Sequence, residues 1–67
     1  MSVARVTTIT SRSEVGFEDA VASGISRASE TLRGIEAAWV KEQSVVVDGG
    51  QVTSWQVTLE VTFVLEP

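Results

Sequence analysis

Cysteine, histidine and tyrosine are all missing from these 67 residues, and proline occurs once. Without cysteine no disulfide can staple the fold, and nothing points to an oxidising compartment. Without histidine the commonest ligand of zinc, copper and haem iron is gone. Together the two absences remove cysteine nucleophiles, Ser-His-Asp triads and imidazole acid–base chemistry. Positive charge is scarce as well: five Lys+Arg stand against nine Asp+Glu, a net charge of −4, with no basic cluster. Phosphate backbones need a positive face, so nucleic acid is not an expected partner. Apolar runs extend a few residues, far short of the ~20 that span a bilayer, and no positive-then-apolar leader is visible. The expectation is a soluble cytoplasmic protein with no membrane partner.

Length sets the next constraint. A chain this short buries only about 60% of the surface its unfolded form exposes. Small domains commonly add disulfides, a metal or partner subunits, and here association with copies of itself is the most economical source of extra burial. One domain over residues 1–67 is expected, with no linker, internal repeat or low-complexity segment.

What is present has clear periodicity. Residues 3–10, VARVTTIT, are rich in β-branched types and predict a first strand. Ser11 and Glu14 have capping-box spacing, with Ser13 a rival N-cap. Phe17, Val21, Gly24, Ile25, Ala28, Leu32 and Ile35 then fall within an arc of about 100° at 3.6 residues per turn. Asp19, Ser23, Ser26, Glu30 and Arg33 lie opposite, and Gly34 suits a left-handed helix end. The pattern predicts one amphipathic helix over about 13–33. Gly24 inside the apolar stripe costs roughly 1 kcal/mol against alanine, either a tolerated flaw or the mark of a strand passing close. A second strand is expected at 38–47, a turn at DGG 48–50, and a third strand at 51–65. In that last strand Trp55, Val57, Leu59, Val61, Phe63 and Leu65 alternate with Gln56, Thr58, Glu60, Thr62 and Val64, which places the first set on one buried face.

The order β-α-β-β has a simple geometric solution. A helix crossing back over the sheet makes the first two strands point the same way, and the third can lie antiparallel between them. The expected fold is α+β: a three-stranded antiparallel sheet of order 1-3-2 wrapped on one amphipathic helix. Such a sheet leaves one face and two edges open. Val45-Val46-Val47 puts apolar side chains on both faces of the second strand, which again points to a subunit of a larger assembly.

Three stretches in this order, FEDAVASGISRASETLRGI, AAWVKEQS and WQVTLEVTF, resemble the dodecins across essentially the whole chain. That family consists of small β-α-β-β proteins that assemble as hollow dodecamers and commonly bind flavins. The resemblance implies a homo-oligomer, a flavin ligand (riboflavin, FMN or a related molecule), and roles for two residues. Trp39 matches a second-strand tryptophan that stacks on the isoalloxazine near a two-fold axis. Gln56 matches a glutamine that hydrogen-bonds the pyrimidine edge of the ring. The residue chemistry is consistent with both: an indole offers a large rigid π-face, and a primary amide carries a donor and an acceptor side by side. Gln56 is also out of phase with Val57 and Leu59, so it points away from the helix.

Blander readings accompany these. Trp39 could fill an interface, Gln56 could be a solvated strand residue, and Trp55 is in phase with the core and expected to pack there. Glu18, Asp19 and Glu30 read as a solvated helix face. The segment from Trp39 to Gln56 is short, and Val45-Val46 replaces an Arg-Gly pair of flavin-binding members. Here the hairpin resembles a dodecin branch that lacks the tryptophan and is linked to calcium. The alternative function is therefore a cation-binding shell, with Asp48, Glu42 or Glu60 converging across subunits, although no ligand set is identified. No spacing singles out an acid–base pair, so an enzyme is not expected.

Overall fold

The computed structural model describes residues 2–65; residues 1, 66 and 67 of the expected 1–67 unit lie outside this range. The elements are β1 (Ala4–Ser13), α1 (Phe17–Ala28), β2 (Ile35–Asp48) and β3 (Gln51–Val64). They form a three-stranded sheet of order β1-β3-β2, with both pairings antiparallel. This is the expected α+β arrangement, with the most apolar strand in the middle.

The core lies between α1 and one face of the sheet. Val57, Leu59 and Val61 of β3 pack with Ala20, flanked by Ile9, Phe17, Val21, Ile25 and Ile35. The residues α1 buries most completely are Ala20, Gly24 and Ala28, spaced one turn apart. The helix thus rests on the sheet along a line of small residues, with its bulky apolar side chains splayed to either side. Ala20 does not stand out in the apolar periodicity because alanine is weakly apolar, yet it is fully buried. At Gly24 the helix lies tight against Ser11 of β1. A Cβ there would stand 2.9 Å from the Ser11 Cβ and 3.1 Å from its Oγ. The glycine in the stripe is explained by close approach of β1.

The helix is shorter than the predicted 13–33, and the cause is at both ends. No capping box forms: Ser11 is a strand residue paired with Val57, and β1 runs on to Ser13. Gly16 is the N-cap and supplies no side chain. The turn is held instead by Ser13, whose Oγ accepts from the Val15 and Gly16 N–H groups at 2.9 and 3.3 Å and donates to Asp19 Oδ2 at 2.6 Å. At the other end the chain tightens into i→i−3 bonds, Glu30 N–H to the Arg27 carbonyl at 3.2 Å and Thr31 N–H to the Ala28 carbonyl at 3.1 Å, with Ser29 Oγ and Thr31 Oγ1 adding to the Ile25 and Ala28 carbonyls. Gly34 does not cap α1. It precedes β2, and its carbonyl accepts from Val64 N–H.

β2 and β3 extend past the helix as a long hairpin. Asp48 pairs with Gln51 across a two-residue turn, with Gly49 and Gly50 at φ 58° and 78°. Two successive positive φ values define the primed turn whose twist matches antiparallel strands, and DGG supplies it. The expected second strand, 38–47, is longer by three residues at its start and one at its end. Leu65 lies beyond β3 and is 39% exposed, so the expected buried set ends before it.

This protomer is too open to be a finished globule. Its radius of gyration is 13.7 Å, whereas a compact chain of this length has about 11 Å. It exposes 4833 Å², against about 4,100 Å² for a compact monomer of its mass. No helix among the described residues is long and apolar enough to cross a membrane.

Candidate functional site

The face of the sheet opposite α1 carries the polar alternation of β3 and the larger of the exposed side chains of β2. Directly paired residues share a face, so the register assigns each one. Trp39 pairs with Glu60, Glu42 with Thr58, and Ser44 with Gln56. From the other side Thr8 pairs with Glu60, Thr10 with Thr58, and Arg12 with Gln56. Since Val57, Leu59 and Val61 face the helix, all of these face away from it. Trp39 is 53% exposed there.

Two polar clusters structure the face. Around Glu60, Thr8 Oγ1 donates to Oε2 at 2.9 Å, and Lys41 Nζ lies 3.6 Å from Oε1. Lys41 reaches it from a register shift between Val40 and Glu42, an irregularity that re-aims one side chain. The Glu60 side chain is only 15% exposed and lies directly across the ladder from Trp39. Around Gln56, Arg12 donates to Oε1 twice, from Nε at 3.1 Å and from Nη2 at 2.7 Å.

The structure brings Trp39 and Gln56 onto one face but not side by side. Their β3 positions, 60 and 56, are four residues apart, about 13 Å at the strand rise. Trp55 pairs with Ser13 and Val45 on the helix-bearing side and is half-buried, in keeping with a packing role. The carboxylates named for a cation do not assemble within one chain. Glu42 and Glu60 lie near each other on the open face, but Asp48 sits at the hairpin tip opposite Gln51. Among the described residues no group of three His, Cys, Asp or Glu side chains is placed to hold a metal ion.

Sequence reasoning missed Arg12, Thr8 and Lys41. The first two were detectable only through the register of β1 against β3, and Arg12 falls inside the Ser11–Glu14 span read as a capping box. Lys41 depends on a β-bulge, which leaves no mark in alternation.

The protomer is thus a half-covered antiparallel sheet, elongated and bearing an exposed indole among paired polar side chains. Comparison with known proteins assigns the family: the chain belongs to the dodecins, whose family model, Dodecin, matches residues 3–66. Membership places it among proteins that form small multi-subunit oligomers. A dodecin from Streptomyces davaonensis is 38% identical, with 98% of this chain and 97% of that one covered at a TM-score of 0.94. The calcium dodecin of Mycobacterium tuberculosis is 34% identical over 67 residues, covering 100% of this chain and 94% of its own. A crystal structure of that calcium-chelating protein, with a calcium-binding site, superposes at a TM-score of 0.83 and 34% identity, covering 98% of this chain and 94% of that one.

Proposed function

We propose that this chain is a subunit of a homododecameric, cytoplasmic flavin holder that stores riboflavin, FMN or a related flavin on Trp39 and quenches its photochemistry without turning it over. The observation that carries this reading is the 53% exposure of the Trp39 indole on the open face of a hydrogen-bonded sheet. Leaving that much aromatic surface in water forfeits about 2 kcal/mol, so something flat and apolar is expected to cover it. In a symmetric oligomer each isologous contact presents the same residue twice, and two facing indoles make a slot for planar rings.

The other residues fit a flavin in part. Gln56 shares the face, with its amide NH2 available to a ring carbonyl, while its own carbonyl is engaged by Arg12. The 13 Å offset along β3 means that Trp39 of one subunit and Gln56 of the same subunit grip one ring system only at opposite ends, or that the two come from different subunits. A bound flavin supplies light absorption and redox chemistry. The protein's side chains supply stacking, orientation and exclusion of water.

A cation-binding shell is the second reading. It is supported by the similarity to a calcium dodecin and by Glu42 and Glu60 lying on one face. Calorimetric titration of the assembled protein separates the two. A saturable heat with riboflavin and none with calcium chloride is expected, and the reverse would make the cation shell the function.

A further inference from the structure

The open face holds one contact that stacking of a ring on Trp39 does not itself require. Arg12 is exposed, and exposed polar pairs add little to stability. Yet it places two N–H groups on the single oxygen Gln56 Oε1, at 3.1 and 2.7 Å, directly across the β1–β3 ladder. We propose that Arg12 is a positioning residue that makes Gln56 a pure hydrogen-bond donor, so that the site selects planar ligands with a carbonyl acceptor on the ring edge. The inference rests on the flavin reading and specifies how that ligand's edge is read.

The argument is one of donor and acceptor inventory. A guanidinium has five N–H donors and no acceptor, and it stays charged at any accessible pH. A primary amide beside it must therefore turn its oxygen inward, because the flipped amide would set N–H against N–H. Two donors occupy both lone pairs of Oε1, which leaves only the two amide hydrogens for anything else. The guanidinium also polarises the amide and strengthens those hydrogens as donors. An edge offering an N–H at that point finds no acceptor, whereas a carbonyl finds a donor already aimed. Rejection of the wrong edge follows from leaving polar groups unpaired under a covering ring.

The test titrates the assembled protein with riboflavin and, separately, with phenazine, a flat tricycle without a carbonyl. Arg12→Met and Gln56→Ala should each weaken riboflavin about tenfold and leave phenazine within about twofold. Arg12→Met added to Gln56→Ala should cause no further loss, and Arg12→Lys should recover part of the riboflavin affinity. In the ligand-free protein the Gln56 side-chain amide resonances should shift in Arg12→Met, a readout independent of flavin. Unchanged resonances, equal losses for both ligands, or losses that multiply in the double variant would overturn the positioning role while leaving the flavin reading intact. Failure of the wild-type protein to bind riboflavin would instead remove the flavin reading, and this inference with it.

Discussion

The hydroxyl of Ser13, 6% exposed at the end of β1, accepts two backbone N–H bonds and donates to Asp19, so the turn into α1 is organised around one oxygen. Ser13→Ala strands those donors and is expected to destabilise the protein by about 1–2 kcal/mol, read as a lower urea midpoint. Gly24→Ala sets two effects against each other. Helix propensity favours alanine by about 1 kcal/mol, but its Cβ would stand 2.9 Å from the Ser11 Cβ, an atom fixed to a strand backbone. Overpacking of this kind costs about 1–3 kcal/mol, so a net loss is expected; a gain in thermal midpoint would mean that β1 yields easily. At this scale the phase of Gln56 and the core role of Leu59 were legible because period-2 alternation assigns faces directly. Ser13 was misread because a serine before a helical pattern looks like an N-cap whether it bonds to N2 or to the preceding turn. Arg12 was invisible because its partner is 44 residues away in sequence.

Among the elements, the β2–β3 hairpin depends on its turn. Gly49 and Gly50 both hold positive φ, which asparagine tolerates and β-branched residues resist. Gly49→Asn is therefore expected to change stability by less than about 0.5 kcal/mol, while Gly50→Val costs more than about 1 kcal/mol. Equal midpoints for the two variants in denaturant titrations would contradict the assigned turn. The hairpin was readable because Asp-Gly between apolar runs has few other solutions. The helix was overextended because Leu32 and Ile35 continue its apolar period, although they belong to the last turn and the first residue of β2. Periodicity registers apolar spacing, and it does not register the tightening of the chain into i→i−3 bonds at Glu30 and Thr31. The three register shifts of β2 against β3, one of which delivers Lys41 to Glu60, came from pairing geometry that no single strand reveals.

For the whole molecule, the fully buried apolar set is small and the exposed set is large. Val45, Val46, Val47 and Val52 of the hairpin are all at least 37% exposed. Such a protomer gains its stability by association, so the unfolding midpoint is expected to rise with protein concentration. Val46→Glu should shift sedimentation toward smaller species and lower that midpoint; an unchanged sedimentation profile would place the subunit contacts elsewhere. The need for partners was legible in the length and the missing cysteines. The elongated shape, 51 Å in its longest dimension, was less so, because β1 runs on through Ser11–Ser13, which read as a helix start, and β2 begins at Ile35, which continued the helical apolar period.

The most direct test of the central claim is a riboflavin fluorescence titration of the wild-type protein and Trp39→Ala at equal concentration. The account predicts deep, saturable quenching by the wild type and loss of at least tenfold in affinity with little residual quenching in the variant. Equal quenching by both proteins, or none by either, would contradict it and return Trp39 to the filling of a subunit interface.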